Sequence, residues 1–213
     1  MSSSATIRAA VRKDLHDEDA TAYRWTDAVL DRHIARVLLE YSQASPLEQK
    51  TTLVTTPGSR DVSVASLTPR VRVVAAEYPT GEYPPSFVPF SLWGDTLTLD
   101  VAGAPASAQN VNVYWHKAHA INGSVTFPST HDDIIAGGAA GYAALEWASF
   151  ASNRVNVGGA DAWGRYMDFA NVRLEEFRRA LRELPAANTL RTGQFYAPQP
   201  AGFHRQTTDP GPA

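Results

Sequence analysis

Residues 26–55 read TDAVLDRHIARVLLEYSQASPLEQKTTLVT, and within that stretch the hydrophobic period changes. Leu30, Ile34, Val37, Leu38 and Tyr41 recur at i, i+4, i+7, i+8 and i+11, which puts them in one stripe on an α-helix. Thr26 precedes them as an N-cap. Asp27 follows in the first turn, where the positive end of the helix dipole favours an anion. Pro46 lacks a backbone donor and stops the helix. Thr51-Thr52-Leu53-Val54-Thr55 then alternates β-branched and polar groups, the pattern of a strand. The chain passes from helix to sheet near residue 50.

Working outward, residues 5–49 look helical and open with a short helix capped by Ser4 that runs through Ile7, Ala10 and Val11. The acidic turn Asp14–Asp19 ends it. On the other side, strand signals continue in Val62-Ser63-Val64, Val71-Arg72-Val73-Val74 and Asn110-Val111-Asn112-Val113-Tyr114-Trp115. Phe90–Trp93 and Thr96–Leu99 flank Gly94-Asp95, a two-residue hairpin turn. Pro57-Gly58, Pro79-Thr80-Gly81 and Pro84-Pro85 mark further turns. Such spacing predicts an antiparallel sheet or small sandwich.

Helical periodicity returns after Pro128, with Ser129 or Thr130 as N-cap and Asp132 and Asp133 in the first turn. Ile134, Ile135, Tyr142, Leu145 and Trp147 supply apolar groups. Asn156-Val157-Gly158-Gly159 reads as a loop. Trp163, Met167, Ala170, Leu174, Phe177 and Leu181 then line one stripe of a long helix. Residues 185–213 hold Pro185, Pro198, Pro200, Pro210 and Pro212 and no periodicity, so they predict an extended tail. The expected fold is α+β. A bundle of about four helices (1–49 and 117–184) carries an inserted antiparallel sheet (50–116) and ends in the tail (185–213).

The chain has 213 residues and 23.1 kDa, enough for one large domain. It is 44% hydrophobic and 19% charged, which excludes a disordered chain. Having no cysteine, it cannot build a disulfide, a thiolate nucleophile or a cysteine-ligated metal site. A net charge of −3 excludes the strongly basic field of a nucleic-acid binder. Residues 50–128 are neutral: Lys50, Arg60, Arg70, Arg72 and Lys117 balance Asp61, Glu77, Glu82, Asp95 and Asp100. No apolar run approaches the ~20 residues a membrane helix needs. Arg8, Arg12 and Lys13 interrupt the one N-terminal stretch that would serve a signal peptide. A soluble protein is expected.

Candidate chemistry is sparse. His116 and His119, with His131, Asp132 and Asp133 nearby, invite a metal reading. Their spacing puts no two ligands on one face, and surface histidines near a turn are the expectation. Gly137-Gly138-Ala139-Ala140-Gly141 lacks the Lys-Ser/Thr of a phosphate loop and falls inside a helix, where small residues let another helix approach closely. Asp132–Asp133 and Glu175–Glu176 diverge on their helices, so neither is an acid/base pair. Arg173, Arg178, Arg179 and Arg182 are interspersed with Glu175, Glu176 and Glu183, as on a solvated face or a salt-bridged subunit contact rather than a nucleic-acid patch. No catalytic residue, metal or cofactor is therefore assigned.

Interaction residues are more legible. Trp163, Tyr166 and Phe169 fall within seven residues, and one helix cannot turn all three inward, so a subunit contact is expected. Phe195, Tyr196 and Phe203 lie in a tail without a core of its own. With Arg191 and Arg205 they read as a docking peptide. Trp93, Tyr114 and Trp115 offer a second reading, a small-ligand or carbohydrate-binding module that stacks its ligand on sheet aromatics.

Two stretches resemble a known family. Arg12-Lys13-Asp14-Leu15, followed by Tyr23-Arg24-Trp25-Thr26-Asp27-Ala28-Val29-Leu30 and on to Ile34, looks like the opening of head–tail adaptor (connector, head-completion) proteins of tailed bacteriophages. Val111-Asn112-Val113-Tyr114-Trp115, Phe127-Pro128 and the small-residue helix through Ala148 resemble the family's later half. The likeness spans residues 5–49 and 109–184, and the insert at 50–108 is larger than in the minimal adaptors. What it implies is a non-enzymatic virion protein. Its subunits would form a ring, commonly twelvefold, between the portal and the tail or stopper protein. Double-stranded DNA would pass through without specific binding, and the C-terminal tail would dock on the portal.

Overall fold

The structure is a computed structural model and describes residues 3–122, 124–152 and 161–184. Its helices are α1 (Ser4–Asp14), α2 (Asp27–Ala44), α3 (Asp132–Ser152) and α4 (Ala162–Glu183). Between α2 and α3 run β1 (Leu47–Val54), β2 (Asp61–Ser63), β3 (Arg70–Glu77), β4 (Phe87–Val88), β5 (Phe90–Trp93), β6 (Thr96–Leu99), β7 (Asn110–Lys117), β8 (Ile121–Asn122) and β9 (Ser124–Val125). The fold is α+β, as the period switch predicts.

The bundle is built around α3, which touches the other three helices. Its own sequence explains this position. Ile135, Ala136, Ala139, Ala140, Tyr142, Ala143 and Ala144 are buried around much of its circumference, so it has no single wet face. Two glycines set how closely its neighbours approach. A Cβ at Gly138 would lie 2.9 Å from the Phe177 ring and 3.2 Å from Val37, and one at Gly141 would lie 3.0 Å from Leu174. Small residues here serve packing, as expected. Leu30, Ile34, Val37, Leu38 and Tyr41 of α2 all enter the same core.

The insert has its own core. A four-stranded sheet in the order β1-β7-β3-β4 and a three-stranded sheet in the order β2-β6-β5 bury Val62, Val64, Leu97 and Leu99 against Ala76, Val111, Val113 and Trp115. Pairing is antiparallel throughout. The Gly94-Asp95 hairpin forms as predicted, with Trp93 opposite Thr96 and Gly94 at φ 57° in the left-handed region.

Several boundaries differ from the sequence reading. Strand β1 starts at Leu47 rather than near 51, because its partner β7 continues through His116 and Lys117 and pairs Leu47 with Lys117. Strand β3 runs on to Glu77, whose carboxylate is satisfied by its neighbours. Ser3, not Ser4, caps α1, accepting from the Thr6 amide at 3.1 Å. A single 3₁₀ turn, Ser129–His131, precedes α3, so neither Ser129 nor Thr130 is its cap. The loop read at 156–159 and the tail at 185–213, with Arg191, Phe195, Tyr196, Phe203 and Arg205, lie outside the described residues.

Candidate interaction surfaces

The N-terminal stretch from Arg12 to Asp27 forms a latch. Helix α1 ends in a Schellman turn. His16 is left-handed at φ 52°, its amide donates to Lys13 O at 3.2 Å, and the Asp17 amide donates to Arg12 O at 2.9 Å. This folds Asp17 back beneath Arg12. The Asp17 carboxylate accepts from Arg12 Nη1 at 2.8 Å and from the backbone amides of Arg24 and Trp25 at 2.7 and 3.2 Å. Arg12 also donates to Asp27 at 2.7 Å, and its guanidinium lies 3.4 Å from the Tyr23 ring centroid. The Arg12 contact outweighs desolvation and holds the Asp27 carboxyl below its ordinary range. Trp25 is buried, donates Nε1–H to Ala143 O at 3.3 Å, and meets Trp147 edge-on at 5.7 Å. Thr26 caps α2, accepting from the Val29 amide at 3.4 Å. Arg12 ties α1 to the start of α2, Trp25 ties the intervening loop to α3 and Thr26 caps α2, so the motif is architectural.

The three α4 aromatics have different surroundings. Tyr166 hydrogen-bonds Arg24 and packs edge-on against Trp147 at 6.4 Å. Phe169 is half-buried beside the Arg173 guanidinium at 5.5 Å. Trp163 is 51% exposed. It therefore leaves the stripe read from the sequence, which holds from Ala170 through Leu174 and Phe177 to Leu181. Arg173 pairs within the chain, with Asp14 at 3.6 Å and Glu176 at 3.4 Å.

A groove of about 600 Å³ between α2 and α3 is lined by Arg32, His33, Arg36, Tyr142, Glu146 and Phe150, among others. Its charges are paired inside the chain. Glu146 accepts from Arg32 and His33, and Tyr142 donates to Glu40. Arg36 stacks 3.8 Å above the Tyr142 ring. Burial holds His33 below its ordinary pKa although Glu146 pulls the other way. The groove has charge and shape, but its groups already satisfy one another.

The sheet aromatics do not form a common platform. Trp115 is buried in the insert's core and donates to Thr51 Oγ1 at 2.9 Å. Tyr114, on the opposite face of β7, is half-buried and donates to Glu77 at 2.7 Å. Glu77 is 4% exposed and also accepts from Asn112 at 3.0 Å and Lys50 at 3.4 Å. Burial pushes the Glu77 carboxyl up, but these three donors outweigh it and leave the group below its ordinary value. Trp93, on β5 of the other sheet, is 90% exposed.

The histidines correct the sequence reading. His116 and His119 are buried rather than on the surface. Arg72 Nε donates to His116 Nδ1 at 3.0 Å. His119 bonds Thr126 Oγ1 at 2.8 Å and Ser45 O at 2.9 Å, while His131 bonds the Tyr41 hydroxyl at 2.6 Å. Non-local partners make burial tolerable, and these cannot be seen from local spacing. Burial lowers the pKa of both His116 and His119. Among the described residues no group of three or more His, Asp or Glu is arranged to hold a metal ion. No helix among them is long and apolar enough to cross a membrane. No known family model matches the chain, and no curated protein matches it well enough to count as a relative.

Proposed function

We propose that this chain is a structural virion protein of a tailed bacteriophage. Identical subunits form a ring between the portal and the tail or stopper protein and extend the channel for double-stranded DNA. The observation that supports this most is the convergence of the residues carrying the adaptor likeness. Arg12, Trp25, Thr26 and Asp27 meet in one latch, so their spacing reflects a shared architectural task. The exposed Trp163 supports a lateral contact on α4. A net charge of −3 suits a channel through which DNA slides, since a basic lumen would hold phosphates tightly.

The test is assembly. Co-expressed with a tailed-phage portal protein, the chain should appear as a closed ring on the portal in electron micrographs, and mass photometry of the chain alone should give one dominant multimer. Monomers at every concentration, with no density on the portal, would overturn the reading.

A further inference from the structure

The outer face of the three-stranded sheet carries a second kind of site. With Val62, Leu97 and Leu99 turned to the core, the register puts Asp61, Ser63, Ser91, Trp93, Thr96 and Thr98 on the opposite face. Thr96 lies between Ser63 and Trp93, and Thr98 between Asp61 and Ser91. One indole thus stands beside four hydroxyl side chains and a carboxylate. A pocket of about 520 Å³ adjoins them, lined by Arg60, Pro89, Ser91, Thr98 and Asp100 among others.

The turn after Trp93 is held from behind. Arg70 donates to Val64 O at 2.8 Å, to Gly94 O at 3.0 Å and to Asp95 Oδ1 at 2.9 Å. The Val64 amide donates to Asp95 O at 2.9 Å. The turn that follows Trp93 is thereby clamped, so its backbone is ordered before any ligand arrives, which lowers the entropic cost of binding.

We infer that this face and its pocket bind a neutral, hydroxyl-rich saccharide. The C–H face of a pyranose stacks on an indole, and its hydroxyls both donate and accept, matching Ser, Thr and Asp side chains. Charge supports a neutral ligand. Arg60 spends its guanidinium on Val101 O at 2.9 Å and Ala102 O at 2.8 Å, and Asp61 accepts from Thr98. Arg60 is outnumbered by Asp61 and Asp100, so the site does not attract an anion. A protein partner fits less well, because aromatic anchors at protein interfaces sit among apolar neighbours and Ser is depleted there. The inference does not depend on ring assembly.

The experiment is affinity electrophoresis of the full chain through gels containing dextran, mannan, galactan or xyloglucan, with heparin as an anionic control. At least one neutral polymer should retard the chain. Trp93→Ala should weaken that retardation tenfold or more, and Asp61→Asn about threefold, with unchanged circular dichroism melts. Leu39→Ala, at an exposed position on α2, should leave it unchanged. Retardation by none of the neutral polymers overturns the inference. So does retardation by heparin alone, or by a neutral polymer with Trp93→Ala equal to the parent. If Trp93→Ala instead abolishes capture of the portal or tail protein while no polymer binds, the face is a protein contact and the saccharide assignment is wrong.

Discussion

The helical bundle and the β insert bury their apolar groups in two separate cores and keep their polar groups in opposite places. In the bundle, the buried charges lie at one end, where Arg12 and Asp17 close the N-terminal latch. In the insert, buried polarity lies across a sheet face, where Glu77 gathers Asn112, Tyr114 and Lys50. The bundle uses ions to decide where its first helix ends and its second begins. The insert uses one carboxylate, at the end of β3, to hold that strand in register with β7 and β1. Polar groups specify geometry in both, but the bundle specifies connection and the insert specifies alignment.

Removing a latch ion should give the largest effect. Asp17→Ala leaves buried Arg12 without its main partner and strips acceptors from two backbone amides. Asp27 still holds Arg12, so a loss of about 3 kcal/mol is expected, the lower end for a broken buried pair. Chemical denaturation followed at 222 nm would measure it, and a loss below about 1 kcal/mol would mean that the latch is ornamental.

The next test asks whether the two cores are independent. Leu97→Ala should cost about 2–5 kcal/mol within the insert by opening a cavity there. Near-ultraviolet signals from Trp115 should be lost at a lower temperature than the helical signal. Coincident transitions would show that the joint between the regions transmits the damage.

Overpacking probes the bundle alone. Gly138→Ala brings a methyl to 2.9 Å from the Phe177 ring, so a loss of about 1–3 kcal/mol is expected despite alanine's higher helix propensity. A stabilised variant would show that α4 can move away from α3.

Acidity acts on both regions. His33 in the bundle and His116 and His119 at and beyond the end of β7 have folded pKa values below the ordinary 6.5. Protonation then favours the unfolded chain, so stability is full above about pH 6.5 and declines as pH falls below it. Glu77 and Glu146, also held below their ordinary 4.5, extend the decline at lower pH. Melting temperatures between pH 8 and pH 4 should fall monotonically, and His116→Asn should flatten the first part.

The smallest stability effect belongs to Trp163→Ala, within about 0.5 kcal/mol because the side chain is exposed. Assembly should change instead, as seen by mass photometry. No change in either would leave Trp163 as bare surface.

Local patterns were legible in proportion to how local their causes are. The stripe Leu30–Tyr41 and the Gly94-Asp95 hairpin depend on near neighbours and emerge as read. The alternation at Asn110–Trp115 announces a strand, but not that β7 lies between β1 and β3 or that Trp115 turns inward while Tyr114 turns out. His116 and His119 look like surface groups because their partners lie elsewhere in the chain. The left-handed residue at 16 was hidden because histidine occupies a place where glycine is usual. Trp163 fits the helical stripe by spacing alone, yet lies at the start of α4, beyond the buried run.

The crossing between the regions has a mechanical consequence. The chain leaves the bundle at Ser45-Pro46 and returns at Ala118, and β1 and β7 pair from Leu47↔Lys117 outward. A pull on the far end of the insert is therefore shared by two covalent backbones, and their ladder of hydrogen bonds bears little of the tension. Sideways bending falls on a different set of bonds: the His119 amide to Ser42 Oγ at 2.8 Å and the His119 ring to Ser45 O at 2.9 Å. The joint is stiff to stretching and compliant to flexing, like a strap stitched at its root.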